Sequence, residues 1–166
     1  MNKSDSERIR SVLNKAGYKP VKKIEEADLI IVNMCSVRQS AVDRVYGLTP
    51  KLKKKQSLLT GCILNKDKRK LSKLFDFVLD IESLPKWPKV IKGKELVSGK
   101  DLISQKNYLN IKPCYARSFS ASIPIMTGCN NYCSYCVVPH TRGREISRPA
   151  EEIISEAKNL VKGGCK

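Results

Sequence analysis

Ala27-Asp28-Leu29-Ile30-Ile31-Val32-Asn33-Met34-Cys35 is the stretch on which the reading of the fold turns. Its centre is an unbroken apolar run rich in branched side chains, which suits a strand buried on both faces. Cys35 lies just past the end of that strand. Upstream, Ile9, Val12, Leu13 and Ala16 fall on one helical face. Ser4-Asp5-Ser6-Glu7 has the form of a capping box that would start this helix, and Gly17 would stop it. Downstream, residues 37–55 read as a helix and 57–60 as a second strand that leads into Gly61-Cys62. Residues 66–74 then read as a helix and 77–79 as a third strand. Alternating helix and strand predict an α/β fold built on a parallel sheet. Ligands of such sheets gather beyond the carboxyl ends of the strands, which is where Cys35 and Cys62 both fall. The plain alternative is two buried cysteines serving as core filler.

Residues 83–120 are different in character. Pro85, Trp87, Pro88, Gly93, Gly99 and Pro113 interrupt periodicity, and the segment reads as a linker with a few short extended pieces. A new strand is expected over residues 122–126, leading into Gly128-Cys129. A last helix starts at Pro149, with Ile153, Ile154, Ala157, Leu160 and Val161 as its apolar stripe and Gly163-Gly164 at its end. The domain boundaries that follow are 1–100, a linker at 101–114, and 115–166.

The charge balance is extreme. Against 16 acidic residues stand 32 Lys and Arg, a formal net charge of +16 over 166 residues. Such a surface favours polyanions, because Lys and Arg displace counterions from phosphates, and nucleic acid is the first partner to expect. A lysine-rich soluble surface with no such partner is the alternative. The sequence has no apolar run of about 18 residues and no signal-peptide core at its start, so the expectation is a cytoplasmic protein with no membrane partner. Seven cysteines in that compartment point to metal or redox chemistry rather than disulfides.

The most specific signal is Cys129-Asn130-Asn131-Tyr132-Cys133-Ser134-Tyr135-Cys136. Three thiolates spaced C-x3-C-x2-C on one loop can reach three irons of a cubane, leaving the fourth open to a small chelating ligand. Zinc is the competing metal, with His140 as a fourth ligand, although the spacing is unlike the paired cysteines usual for zinc.

Gly128 to Glu145, with Val137-Val138-Pro139-His140-Thr141-Arg142-Gly143-Arg144 after the cysteines and Ser147-Arg148-Pro149 beyond, resembles the signature of radical S-adenosylmethionine (SAM) methylthiotransferases. Asn33-Met34-Cys35-Ser36-Val37-Arg38 and Gly61-Cys62 resemble the second and third cysteine sites of that family's N-terminal domain. Within the family these versions look most like the tRNA 2-methylthioadenosine synthases. The resemblance implies methylthiolation at C2 of an N6-prenylated adenosine next to the anticodon, with tRNA as partner and flavodoxin or ferredoxin as reductant. It implies two 4Fe–4S clusters and SAM as cofactors. Cys129, Cys133 and Cys136 would hold the SAM-binding cluster, and Cys35 and Cys62 would be two of three ligands of an auxiliary cluster that carries the sulfur. A ribosomal-protein methylthiotransferase is the nearest alternative, and a non-enzymatic iron–sulfur or zinc protein that binds RNA the next.

Two further expectations come from the same resemblance. Met1-Asn2 matches the end of the family's Gly-Cys-x-Met-Asn segment, which puts the third auxiliary cysteine and a first strand just before residue 1. Gly163-Gly164-Cys165-Lys166 falls where the second strand of a radical SAM barrel would begin. The chain therefore reads as a fragment truncated at both ends, monomeric, with a partial (β/α) barrel and no complete activity alone. Cys114 and Cys165 match no cluster position and read as ordinary cysteines. Arg142, Arg144 and Arg148 are candidates for contact with substrate phosphate.

Overall fold

The computed structural model describes residues 2–52, 54–93, 108–115 and 119–165. Helix α1 (Asn2–Lys15) precedes β1 (Leu29–Cys35). Then come α2 (Gln39–Leu52), β2 (Gln56–Cys62), α3 (Asn65–Leu71) and β3 (Phe77–Val78). The three strands form a parallel sheet in the order β1-β2-β3, as the alternation predicts. The register runs from Leu29 opposite Gln56 to Cys35 opposite Cys62.

Alternation along the strands sends successive side chains to opposite faces. Leu58, with Leu29 and Ile31 at its edge, joins Ile9 and Leu13 of α1 in one core. Leu59, Ile30 and Met34 join Val42 and Val45 of α2 and Leu71 of α3 in the other. The central strand is therefore covered on both sides, and Leu58 and Leu59 are both 0% exposed. Full burial of each stabilises the fold by about 1.5–3 kcal/mol.

Three sequence expectations need correction. Helix α1 already runs from Asn2, so Ser4 is inside it and does not cap it. The Ser4 hydroxyl instead accepts a hydrogen bond from the buried Arg8 guanidinium, one turn on. The start of the presumed linker belongs to the core: a 3-10 helix (Ile81–Lys86) runs into α4 (Trp87–Ile91), and Trp87 is 0% exposed. Pro88 sits in the first turn of α4, where its missing N–H costs no helical bond, so the prolines shape short helices here. Tyr108 and Leu109 also enter this core. Within the presumed linker, residues 94–107 and 116–118 lie outside the described residues. Lastly, the expected strand at 122–126 shrinks to β4 (Met126–Thr127), paired antiparallel with β5 (Ile146–Ser147).

Between β4 and β5 lie the three-cysteine loop and the short α5 (Val138–Arg142). After β5, α6 (Ala150–Lys162) starts directly behind Pro149. This helix buries no residue, and Ile154 and Val161 of its stripe are exposed. Tyr115 and Arg148 tie α6 down through Glu156, Arg148 at 2.7 Å. The second region is thus a β/α unit not closed into a barrel. Among the described residues no helix is long and apolar enough to cross a membrane.

Candidate metal centre

Parallel register partners point to the same face of a sheet, so Cys35 and Cys62 end adjacent strands side by side on the α1 face. They are the last residues of β1 and β2, rather than lying just beyond them. The ladder continues one step further, Ser36 N–H donating to the Cys62 carbonyl at 3.0 Å. Gly61 makes this closeness possible. Its φ is +106°, and a Cβ there would collide with the Met34 carbonyl oxygen and lie 2.6 Å from Asn33 Oδ1.

Asn2 closes the same corner. Its Nδ2 donates to the Met34 carbonyl at 3.0 Å, its own carbonyl accepts from Asn33 Nδ2 at 2.8 Å, and its Oδ1 lies 4.0 Å from the Cys62 sulfur. Asn33 Oδ1, Ser36 Oγ and Thr60 Oγ1 are buried at this end of the sheet without a hydrogen-bond partner. Buried polar atoms left in this state call for an explanation, and a group bound at the strand ends supplies one.

Arg142, at the end of α5, reaches into this corner from the second region. Its Nε donates to the Cys62 sulfur at 3.1 Å, and its Nη2 donates to Asp5 Oδ2 at 2.5 Å and Asn2 Oδ1 at 3.3 Å. Arg142 is 2% exposed and Asp5 0%. Burial alone would lower the pKa of this guanidinium, but Asp5, then Cys62, outweigh it and hold it above the ordinary arginine value. Asp5 accepts a second hydrogen bond from the Tyr108 hydroxyl. Arg8 lies over the Tyr108 ring, 5.8 Å from its centroid, and donates to the Leu109 carbonyl at 3.3 Å. Burial lowers the Arg8 pKa.

The loop carrying Cys129, Cys133 and Cys136 begins at Gly128, whose φ of +76° and contact with the Arg144 carbonyl leave no room for a side chain. Cys129 N–H donates to the Gly143 carbonyl at 3.1 Å, and Asn130 Oδ1 accepts from Glu145 N–H at 3.1 Å. A turn closes Cys136 N–H on the Cys133 carbonyl at 2.9 Å. Cys133 is exposed, while Cys129 and Cys136 are half-buried. Among the described residues no three Cys, His, Asp or Glu side chains converge closely enough to form a ligand set. The structure thus brings Cys35 next to Cys62, and puts the other three on one loop without joining their sulfurs. An all-thiol donor set on a loop with an exposed member fits an iron–sulfur cluster, whose ligands are thiolates. His140 packs edge-to-face with Tyr132, ring centroids 6.1 Å apart.

Asn2, Asp5 and Tyr108 carry no signal of their own in the sequence as parts of this corner. One clue exists for Asp5: the stripe of Ile9, Val12 and Ala16, extended one turn back, lands on it. Arg142 was a candidate for phosphate contact, and its burial against Cys62 and Asp5 takes it away from such a role. Arg148 is likewise engaged, with Glu152, Glu156 and the Pro124 carbonyl. Only Arg144 of the three is exposed. Cys114 holds its segment to α1 through a backbone bond to Glu7, and Cys165 closes the end of α6.

Comparison with known proteins extends the geometry. A family model described as "Uncharacterized protein family UPF0004" matches residues 1–81, and the radical SAM superfamily model matches residues 123–166. The chain is 41% identical to the tRNA-2-methylthio-N(6)-dimethylallyladenosine synthase of Dictyoglomus thermophilum, over 99% of this chain and 40% of that protein. It is 40% identical to the protein of the same name from Caldicellulosiruptor saccharolyticus, over 100% of this chain and 39% of that one. For the Albidiferax ferrireducens protein of that name the figures are 35%, 100% and 40%. The chain therefore spans about 40% of the length of the curated relatives it matches.

Proposed function

Because this chain belongs to the radical SAM methylthiotransferase family, we propose that it is the cluster-bearing part of an enzyme that adds a methylthio group at C2 of an N6-prenylated adenosine in tRNA. In this reading Cys129, Cys133 and Cys136 hold a 4Fe–4S cluster that binds SAM, and Cys35 and Cys62 hold an auxiliary cluster. Cys35 and Cys62 are two of that cluster's three ligands, and Asn2 shares their corner, its Oδ1 4.0 Å from the Cys62 sulfur. The working divisions are residues 1–100, 101–114 and 115–166. When bound, the clusters and SAM supply the radical and sulfur chemistry that side chains lack.

The observation that carries this reading is the register pairing of Cys35 with Cys62 at the carboxyl ends of parallel strands, in the same corner that the second region enters through Arg142. The chain's own groups then do three things. The strand ends hold two thiols on one face. Gly61 and Gly128 let backbone carbonyls press against the residue before a cysteine. The exposure of Cys133 leaves the three-cysteine loop open to a small ligand. The net charge of +16 supports tRNA as the partner, with a flavodoxin- or ferredoxin-type reductant.

The test is anaerobic reconstitution with iron and sulfide. The protein should take up about four irons at the three-cysteine loop, the content of one cubane. Changing Cys129, Cys133 and Cys136 together to Ala should remove that iron and its spectroscopic response to SAM. Stoichiometric zinc with no iron would overturn the reading. Activity is then sought with reduced protein, SAM and prenylated tRNA, by mass analysis of the digested nucleosides. It is measured on the chain joined to the remaining length its relatives have.

A further inference from the structure

Ser4, Asp5, Glu7 and Arg8, four of the residues between 4 and 8, are 3% exposed or less, although all are polar or charged. Arg142 meets them from a segment more than a hundred residues away, and is as deeply buried. Unpaired, a buried charge costs several kcal/mol, so this concentration implies a specific arrangement of partners. The partners lie on three separate pieces of chain: α1, residues 108–109, and the end of α5.

Arg142 and Gly143 form the link between the two cysteine sites. The Arg142 side chain holds the sulfur of Cys62, while the next residue's carbonyl accepts the backbone N–H of Cys129. Asp5 fixes the guanidinium from the other side, and the Tyr108 hydroxyl fixes Asp5. A planar guanidinium can serve Cys62 and Asp5 together through Nε and Nη2, which the single ammonium of lysine cannot reproduce.

We propose that Arg142 is a positioning residue for the reaction: it sets the Cys62 sulfur at a fixed place relative to the three-cysteine loop, and donates to that sulfur a charge-assisted hydrogen bond. The proposal rests on the reading that Cys62 is a cluster ligand, since a thiolate bound to iron still accepts hydrogen bonds. Hydrogen bonds to ligand sulfurs and nearby charge are among the factors that set a cluster's reduction potential, so Arg142 raises the potential of the auxiliary site. Asp5 acts one step further out, by orienting Arg142.

The experiment uses R142Q, R142K and D5N in two states of the protein. In the metal-free chain, alkylation by iodoacetamide is followed cysteine by cysteine by mass spectrometry. R142Q should slow modification of Cys62 by about tenfold or more, because iodoacetamide attacks the thiolate, which the hydrogen-bonded Arg142 cation favours. Rates at Cys114 and Cys165 should stay put. D5N should move Cys62 in the same direction by less. If R142Q fails to fold, every cysteine accelerates, and D5N decides: a fall confined to Cys62 supports the proposal, and no change there overturns it. In a folded R142Q, Cys62 reacting within twofold of the parent also overturns it. In the iron-loaded chain joined to the remaining length its relatives have, the auxiliary potential should shift negative in R142Q and return part of the way in R142K, whereas equal potentials in parent and both variants would overturn the tuning role. The metal-free arm is independent of cluster chemistry, so zinc in place of iron would defeat the proposed function while leaving the result at Arg142 intact.

Discussion

Gly61→Ala isolates the packing that lets the Cys35 and Cys62 strands end side by side. The added methyl faces two penalties. A φ of +106° is one that L-residues rarely adopt, costing about 1–3 kcal/mol. The Cβ would also overlap the Met34 carbonyl and lie 2.6 Å from Asn33 Oδ1 and 2.9 Å from Met34 N. Two of these three atoms are backbone of the neighbouring strand and cannot swing away, so overpacking adds about 1–3 kcal/mol. The total is roughly 2–6 kcal/mol, a large part of the ~5–15 kcal/mol of a typical domain. Urea denaturation of the metal-free chain measures it, with the midpoint falling by about 1 M or more at unchanged slope. Gly47→Ala is the matched control. Gly47 lies inside α2, and a Cβ there meets nothing within 4 Å. It should be neutral or stabilising by about 0.5–1 kcal/mol. A Gly61→Ala loss below about 1 kcal/mol, or equal effects of the two substitutions, would refute the role of Gly61 in bringing the strand ends together.

Two further outcomes are expected. Burial, then the nearby Asp80 carboxylate, raises the Glu82 pKa above its ordinary 4.5, so the folded state holds that proton more tightly than the unfolded chain does. Its contribution to stability is present in full below pH 4.5 and is lost as the pH rises through the raised folded value. Glu82→Gln should therefore melt higher than the parent at neutral pH and match it in acid, and a constant difference across that range would contradict the assignment. The net charge of +16 predicts tRNA binding that weakens by tenfold or more between about 50 and about 200 mM salt in a filter or mobility assay. A flat salt dependence would exclude an electrostatic interface.

The buried corner also bears on how the two regions depend on each other. Removing one partner of a buried ion pair costs about 3–5 kcal/mol, since the other charge is left without compensation. Asp5 and Arg142 are such a pair, and they belong to opposite ends of the sequence. The N-terminal helix and the segment after the three cysteines therefore share one energetic unit. The loop that bears Cys129 draws part of its order from residues that also stabilise Cys62.

Local pattern alone carried much of this protein's organisation. Leu29 to Val32 could hardly be anything but a doubly buried strand, and the parallel sheet followed from alternation with the helices on either side. Cys35 and Cys62 were legible as strand-end residues, and Cys129, Cys133 and Cys136 as one loop after a short strand, because period and spacing are properties of neighbouring residues. Trp87 was misplaced, since prolines on both sides mimic a linker until the core that receives the indole is known. The meeting of Asp5 with Tyr108 and Arg142 was beyond reach for a related reason. Polar and charged residues read as solvated unless the segment that buries them is in view, and these three meet across separations of 103 and 137 residues. Tertiary structure alone decides which charges lose their water, because desolvation depends on everything packed around a group and not on its neighbours in the chain.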